Sequence, residues 1–160
     1  ANIPGEVITK GENVMLGYYK NEEATKEVLD KEGWYHTGDL GTMSADGHLF
    51  LRGRIKNMLL GSNGQNVYPE EIEDNSMSMV SECIIIQRGD KIVGLVYPDF
   101  DEAKEMGFSQ SDLQEIMEQN RLELNNMLPS FCHLSAIELR DEEFAKTPKK
   151  SIKRYLYQEK

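Results

Sequence analysis

Two short apolar runs joined by a glycine turn constrain the fold of this chain most strongly. Residues Cys83–Gln87 and Lys91–Tyr97 have the length and the β-branched content of strands. The dipeptide Gly89-Asp90 separates them and is a typical signal for a two-residue hairpin. The sequence therefore predicts two strands joined as a hairpin.

A long amphipathic helix is predicted to follow this hairpin. Ser109 and Asp112 have the spacing of a capping box, and Pro129 stops the periodic pattern. One helical face carries the apolar side chains Leu113, Ile116, Met117, Leu124, Met127 and Leu128. Leu134–Leu139 is predicted to be a further strand, and Ile152–Leu156 a terminal helix turn.

The segment before the hairpin combines a polar loop with a short helix. Gly61–Asn66 is rich in glycine and asparagine, which favours a loop. Pro69 suits the first position of a helix, and Glu70 and Glu71 complement its dipole. From residue 55 onward the predicted order is strand, helix, two strands, helix, strand. That order indicates a compact α+β domain.

The first sixty residues contain a predicted strand, helix and hairpin. Gly5–Thr9 is predicted to be a strand, and Asn21 to cap a helix that ends at Gly33-Trp34. A hairpin is expected to pair His48–Leu51 with Ile55–Leu60. Gly53-Arg54 would then lie at its connection or mark a domain boundary.

Asp39 and Arg54 stand fifteen residues apart, and each directly follows a glycine. A carboxylate accepts hydrogen bonds from a sugar diol, and a guanidinium grips oxygen-rich groups with a rigid fork. Spacing alone equally fits a turn cap at Asp39 and a solvated charge at Arg54, because such pairs are common in turns.

The charge distribution along the chain is asymmetric. Residues 146–160 carry six basic side chains and one acidic, whereas the preceding 145 residues carry 12 basic and 27 acidic. An acidic body argues against a nucleic-acid-binding protein. The basic tail fits either an anionic small ligand or simple solvation.

The remaining composition excludes several classes of protein. No apolar run of about 18 residues is present, and no signal peptide is visible. Cys83 and Cys132 are interpreted as reduced core thiols, which favours a cytoplasmic location. The three histidines lack metal-ligand spacing, so no metal site is predicted.

Taken together, four stretches resemble the C-terminal part of the acyl-adenylate-forming enzymes, and they occur in that family's order. The stretches are Gly5-Glu6-Val7 with Gly11 and Met15-Leu16-Gly17-Tyr18-Tyr19; Trp34-Tyr35-His36-Thr37-Gly38-Asp39-Leu40; Gly53-Arg54-Ile55-Lys56-Asn57 running into Gly64 to Glu73; and Thr147-Pro148-Lys149-Lys150-Ser151-Ile152-Lys153-Arg154. The third stretch looks most like the long-chain acyl-CoA synthetase branch.

The resemblance implies specific residue roles. Asp39 would bind the ribose hydroxyls of ATP and of the acyl-AMP, and Arg54 would contact the nucleotide near ribose and phosphate. Lys56 would be the hinge of a mobile domain. The loop Gly61–Asn66 would line the route taken by the thiol of coenzyme A.

The resemblance also implies the domain organisation. Residues 1–53 would be the β-rich tail of a large AMP-binding domain, 54–58 the hinge, and 59–160 a small C-terminal α+β domain. The chain has no initiator Met and is expected to be cut from a longer protein. ATP, Mg²⁺ and coenzyme A would all require the missing N-terminal domain.

The fourth stretch departs from the family at Ser151. The family pattern, Thr-Pro-x-x-Lys-Ile or Thr-Pro-x-Gly-Lys-Ile, has a catalytic lysine there, and a serine hydroxyl cannot supply its charge. Lys150 or Lys149 could take over with a shifted register, Lys153 could reach in from the far side, or adenylation could be slow. Lys150 is the favoured replacement.

The leading hypothesis is therefore the C-terminal part of an ATP-dependent ligase that activates a fatty acid or another carboxylic acid. The isolated fragment is expected to be inactive, and the full-length protein could associate peripherally with membranes. Two alternatives stay open. One is a non-catalytic interaction or regulatory module of the same fold, and the other is an adenylation domain that loads a carrier protein.

Overall fold

The computed structural model describes residues 3–61 and 63–158 of this 160-residue chain. The chain forms two compact units that divide between Asn57 and Met58. Each unit has a sheet of its own, and both combine strands with helices. The predicted mixed α+β class is confirmed.

The first unit is built on a three-stranded antiparallel sheet. Its strands are, in spatial order, β1 (Gly5–Thr9), β2 (Tyr35–Met43) and β3 (Leu49–Arg54). The predicted helix cap at Asn21 is confirmed, because the Asn21 side chain accepts a hydrogen bond from the Ala24 amide at 3.1 Å. The other elements of this unit are α1 (Glu22–Val28) and a 3₁₀ turn (Ile55–Asn57).

Two boundaries predicted for this unit are wrong. Helix α1 ends at Val28 rather than at Gly33-Trp34, because Leu29 already leaves the helical conformation and bridges to Tyr35. The Asp30 carboxylate then accepts hydrogen bonds from the amides of Glu32 and Trp34, both at 2.9 Å. This side chain stabilises a turn where the sequence predicted more helix.

The predicted hairpin of His48–Leu51 with Ile55–Leu60 is also wrong. Strand β3 runs through Gly53 and Arg54 and pairs with β2, a strand that was not predicted. The connection lies at Asp46-Gly47, which is the stronger turn signal. Arg54 is therefore a strand residue, and the chain turns only afterwards.

The second unit contains the hairpin that the sequence predicted. Strands β6 (Val80–Arg88) and β7 (Lys91–Pro98) are antiparallel. Gly89-Asp90 forms the two-residue connection between them. The other elements of this unit are β4 (Leu59–Leu60), β5 (Asn66–Val67), α2 (Pro69–Glu73), α3 (Phe100–Glu105), α4 (Gln110–Met127), β8 (Leu134–Leu139) and 3₁₀ turns at Ser130–Cys132 and Arg154–Leu156. The capping box of Ser109 and Asp112 is confirmed.

Strand β8 adds to the other edge of β7 and runs parallel to it, so the sheet order is β6-β7-β8. A parallel pair needs a long crossover, and helices α3 and α4 supply it. Gly94 in the middle strand β7 leaves room for neighbours, since a Cβ there would lie 3.3 Å from Cγ1 of Ile137 on β8.

The sheet of the second unit is covered on both faces, which explains the run of three isoleucines in β6. Ile85 points to a core that includes Leu124 of α4. Ile84 and Ile86 point to the opposite core, which includes Phe144 of the C-terminal segment. Side chains alternate across a strand, so a continuous apolar run fits a strand that is buried on both faces.

Two predictions for the later elements need correction. Met127 is 65% exposed, whereas Asn120 is buried on the inner face of α4 because it hydrogen-bonds the backbone of Ser78. The terminal helix turn is shorter than predicted and covers Arg154–Leu156, since Ile152 bridges to Lys146 instead.

Candidate functional site

Asp39 and Arg54 lie directly opposite each other on β2 and β3 and form an ion pair. Nη1 of Arg54 is 2.7 Å from Oδ1 of Asp39. The Asp39 side chain is 31% exposed and the Arg54 side chain 47%, so a ligand can reach both. Gly38 has φ +71°, and a Cβ there would lie 3.4 Å from the guanidinium. That distance is an ordinary van der Waals contact, so it is the left-handed backbone conformation that favours glycine at this position.

Side chains of β1 and β2 hold the backbone before Asp39. The Glu6 carboxylate accepts a hydrogen bond from the Gly38 amide at 3.2 Å and lies 2.8 Å from Nδ1 of His36. The Thr37 hydroxyl donates to the Val7 carbonyl at 2.7 Å and accepts from the Asp39 amide at 3.0 Å. These bonds orient the strand that carries Asp39.

Two titratable groups near the pair have shifted pKa values. The hydrogen bond to Glu6 raises the pKa of His36, and Asp30 acts in the same direction. The hydrogen bond to Tyr18 raises the pKa of Tyr35. The charge of Arg54 lowers this pKa, and the charge of Asp39 raises it. Sequence reasoning did not single out Tyr18 or Tyr35 individually, because their contact depends on the fold.

A tight turn connects Lys146 and Ile152 in the second unit, which form an isolated antiparallel bridge. The Thr147 amide donates to the Ser151 carbonyl at 2.8 Å, and the Lys150 amide donates to the Thr147 carbonyl at 2.9 Å. The Thr147 hydroxyl accepts from the Ser151 amide at 3.3 Å. Lys150 is exposed and has φ +63°, the left-handed region.

The turn between β2 and β3 has the same hydrogen-bond pattern, but a glycine stands where Lys150 does. The Ser44 amide donates to the His48 carbonyl at 2.9 Å, and the Gly47 amide donates to the Ser44 carbonyl at 3.0 Å. The Ser44 hydroxyl accepts from the His48 amide at 3.0 Å, and Gly47 has φ +88°. A side chain in this conformation costs about 1 kcal/mol. Lys150 therefore occupies a strained position.

The other predicted lysines lie in different surroundings. Lys149 is exposed beside Lys150 at the tip of the turn, whereas Lys153 is half-buried and its amide donates to the Ala145 carbonyl at 2.8 Å. Lys153 thus belongs to the base of the turn. Lys56 is exposed in the 3₁₀ turn that ends the first unit.

Aromatic side chains support the base of this turn. The Arg140 guanidinium lies 5.0 Å from the ring centre of Phe144 and 4.7 Å from that of Tyr157. The two rings pack edge to face at 5.0 Å, and the Tyr157 hydroxyl accepts from the Ala145 amide at 2.8 Å. The turn therefore projects from a well-packed base.

Two ion pairs also reach this base. Lys146 pairs with Glu82 of β6, and this hydrogen bond raises the pKa of Lys146. Arg154 pairs with Glu73 of α2, and both side chains are largely buried. Burial raises the pKa of Glu73, while Arg154 and the Ile85 amide act against that shift.

The predicted loop of the thiol route is compact where it is described. The Gly61 amide donates to the Gln65 carbonyl at 2.8 Å, and the Gly64 amide donates to the Gly61 carbonyl at 2.9 Å. A Cβ on Gly61 would lie 3.2 Å from the Phe131 carbonyl, a tight contact that favours a glycine at this position. Ser62, within the predicted loop, lies outside the described residues.

Within residues 3–61 and 63–158, no group of three or more His, Cys, Asp or Glu side chains is arranged to hold a metal ion. In the same part of the chain, no helix combines the length and the apolar character that crossing a membrane requires. Burial raises the pKa of the Cys83 thiol to about 12, which makes it unreactive at neutral pH.

A comparison with protein families decides what kind of chain this is. Residues 56–160 match the family described as AMP-binding enzyme C-terminal domain. The chain belongs to this family. The predicted resemblance to acyl-adenylate-forming enzymes is confirmed, and this family includes the C-terminal domains of acid–CoA ligases.

Curated relatives agree with this assignment. The 2-succinylbenzoate–CoA ligase of Bacillus cytotoxicus is 40% identical over 98 residues, which cover 60% of this chain and 20% of that protein. A long-chain-fatty-acid–CoA ligase of Gallus gallus is 40% identical over 90 residues, 54% of this chain and 12% of that protein. The chain thus spans a fifth or less of these relatives.

The fold has a solved counterpart. The adenylation domain of a carboxylate reductase from Mycobacterium chelonae matches 97% of this chain with a TM-score of 0.84 and 21% sequence identity, over 26% of that chain. At this identity the likeness shows the shared fold alone.

Proposed function

We propose that this chain is the C-terminal part of an ATP-dependent acyl-CoA ligase. The carboxylate oxygen of the acid would attack the α-phosphorus of ATP and release pyrophosphate. The thiolate of coenzyme A would then attack the acyl carbon and release AMP. The observation that carries the proposal is the exposed Asp39–Arg54 pair, in a chain that belongs to an AMP-binding family.

Asp39 and Arg54 are the proposed nucleotide-binding residues. The Asp39 carboxylate suits the two hydroxyls of the ribose, and the Arg54 guanidinium suits the nearby phosphate. Their mutual contact at 2.7 Å orients both groups before a nucleotide arrives. A preorganised pair binds with less loss of side-chain freedom than two independent charges.

Lys150 is the proposed source of the positive charge that the family places at the position of Ser151. Its strained backbone supports this role, since the equivalent position in the turn at Gly47 carries a glycine. An ammonium group at the turn could stabilise charge that develops on the phosphate and carboxylate oxygens. Lys149 is the second choice, and the half-buried Lys153 the third.

Lys56 is the proposed hinge, between a nucleotide-binding part and a mobile part at residues 59–160. Two reactions at one acyl carbon need two sets of groups, and a hinged domain can deliver each set in turn. The loop at Gly61–Asn66 would then line the route of the thiol. The division of the chain between Asn57 and Met58 supports a hinge close to Lys56.

Fatty acids are the proposed substrates, with long-chain fatty acids as the narrower hypothesis. The fatty-acid ligase and the succinylbenzoate ligase reach the same 40% identity, so identity favours neither acid. Peripheral membrane association and a cytoplasmic location accompany this hypothesis. The described residues offer no cluster for Mg²⁺, and no step proposed for them involves that ion.

The central experiment substitutes Lys150 alone, and Lys150 together with Ser151, in the full-length ligase. Lys150→Gly should reduce ATP–pyrophosphate exchange by about 100-fold, because a charge at the reacting oxygens is lost. The double variant Lys150→Gly/Ser151→Lys should restore exchange, since it returns both residues to the family order. Lys149→Gly tests the second choice and should stay within about threefold of the wild type, because Lys150 is the proposed source of the charge. Unchanged exchange in Lys150→Gly would refute the role of Lys150.

Two alternative functions have their own tests. The isolated chain should show no ATP–pyrophosphate exchange, and a full-length protein that also shows none would favour a non-catalytic module. Acyl transfer to a carrier protein rather than to coenzyme A would favour a carrier-loading adenylation domain. The fold shared with the adenylation domain of a carboxylate reductase keeps this second alternative in view.

A further inference from the structure

A buried ion pair connects helix α2 to the C-terminal segment. Glu73 is the last residue of α2, and Arg154 begins the 3₁₀ turn after the lysine-bearing turn. Their side chains are only 12% and 15% exposed, and 81 residues separate them in sequence. The second oxygen of Glu73 accepts a hydrogen bond from the Ile85 amide at 2.6 Å. Glu73 is therefore anchored to β6 while it holds Arg154.

The lysine-bearing turn is anchored on both of its arms. On the first arm, Lys146 pairs with Glu82, which is itself a residue of β6. On the second arm, Arg154 pairs with Glu73, which is bonded to the backbone of β6. Each arm thus ends in a cation held by a glutamate that is fixed to the same strand. Such an arrangement limits how far the turn between the arms can move.

We propose that Glu73 and Arg154 are positioning residues that set the location of the turn at Lys150. This inference rests on the proposed function of that turn in adenylation. Lysine side chains are long and flexible, so the position of the backbone decides where the ammonium group can reach. A displacement of about 1 Å at a reacting centre can reduce a rate by about 100-fold.

A single guanidinium nitrogen of Arg154 makes the contact on which this inference rests. Nη2 of Arg154 contacts Glu73, whereas Nη1 is buried without a hydrogen-bond partner among the described residues, and a lysine at this position would act only as a point charge. Removal of the Glu73 charge leaves a buried cation without its partner, which favours a shift of Arg154 toward water. The lysine-bearing turn, which directly precedes Arg154 in the sequence, would shift with it.

The experiment compares Glu73→Gln with a matched control in the full-length ligase. The control is Glu138→Gln, which breaks the 2.6 Å ion pair of Arg88 and Glu138 in the same unit without touching the turn. Glu73→Gln should lower kcat for acyl-AMP formation by about 10- to 100-fold, with KM for ATP changed by less than about threefold. Thioester formation from supplied acyl-AMP should stay within about threefold. Glu138→Gln should change none of these values.

A second readout does not depend on activity. Amide hydrogen exchange should become at least about tenfold faster at Lys150 and Lys153 in Glu73→Gln, because both amides donate hydrogen bonds at this turn. Exchange at Gly47, in the comparable turn of the other unit, should stay the same. Arg154→Lys is the milder variant and should show the same two effects if Glu73→Gln does not fold.

The outcomes separate this inference from the proposed function. A wild-type ligase without acyl-AMP formation would refute the proposed function, and with it the positioning role. An active wild type whose Glu73→Gln and Arg154→Lys variants keep their kcat would overturn the inference alone, whatever their exchange rates. Equal losses in Glu73→Gln and Glu138→Gln would also overturn it, since they would indicate a general loss of stability.

Discussion

Asp39 and Arg54 are cross-strand neighbours, and their side chains meet at 2.7 Å on a surface that stays accessible. The residues between them, at a sequence separation of 15, form a strand, a tight turn and a returning strand. Their spacing in sequence is therefore the length of one hairpin. The contact brings an acceptor for hydroxyl groups beside a cation for phosphate, which is the pairing that a nucleotide requires.

Asp39→Asn should separate function from stability in the full-length ligase. The amide keeps the size of the side chain but loses its charge, so acyl-AMP formation should fall by about 10- to 100-fold. Stability should change by less than about 1 kcal/mol, because the ion pair is partly exposed to solvent. Pyrophosphate exchange and urea denaturation measure the two quantities. Asp46→Asn, at an exposed turn of the same unit, should leave exchange within about twofold.

Lys150→Gly should stabilise the second unit although it removes a proposed functional residue. A glycine adopts φ +63° without strain, and the expected gain is about 1 kcal/mol. The reciprocal change, Gly47→Lys, should cost about 1 kcal/mol in the first unit for the same reason. Chemical denaturation, followed with signals from each unit, checks both values. A loss of stability in Lys150→Gly would contradict this account of the turn.

Asn120→Ala should destabilise the second unit by about 2 to 3 kcal/mol. Oδ1 of the Asn120 side chain accepts a hydrogen bond from the backbone amide of Ser78 at 3.0 Å, and Nδ2 donates one to the Ser78 carbonyl at 2.9 Å. Removal of this side chain leaves both backbone groups without these bonds. Asn126→Ala, at an exposed position of the same helix, is the matched control and should stay within about 0.5 kcal/mol. Equal effects of the two substitutions would refute the structural role of Asn120.

His36 should make the stability of the first unit depend on pH. The Glu6 carboxylate raises the pKa of His36 above its ordinary value in the folded state. The stabilisation is then fully present below the unfolded pKa of about 6.5 and is lost as the pH rises through the folded pKa. Glu6→Gln should move the pKa of His36 down toward about 6.5 and flatten this dependence. An NMR titration of the His36 ring measures the shift, and a wild-type value at or below 6.5 would contradict the prediction.

Sequence patterns were reliable at the following boundaries, whose chemistry is local. The hairpin at Gly89-Asp90, the capping box at Ser109 and the helix start at Pro69 were all predicted and are all present. Each depends on residues within four positions of one another, so the sequence contains the whole signal. The family assignment is similar, because it depends on motifs whose order survives without a structure.

The failures occurred where a distant partner decides the conformation. Strand β3 pairs with β2 rather than with the residues after Arg54, and helix α1 ends early because Leu29 bridges to Tyr35. Asn120 is buried on the apolar inner face of α4, because its side chain hydrogen-bonds the backbone of Ser78. The pairing of β3 differs from the other cases, because the local turn signal at Asp46-Gly47 marks its connection to β2.

The sequence by itself determined the fold class, the family, and in the second unit the central hairpin, the long helix and the last strand. Only the tertiary structure decided that Asp39 and Arg54 touch, that Lys150 is strained, and that Glu73 meets Arg154 across 81 residues. The physical reason is that capping and turn preferences act between near neighbours, whereas ion pairs and burial depend on which surfaces the folded chain brings together. The proposed chemistry depends on contacts of this second kind.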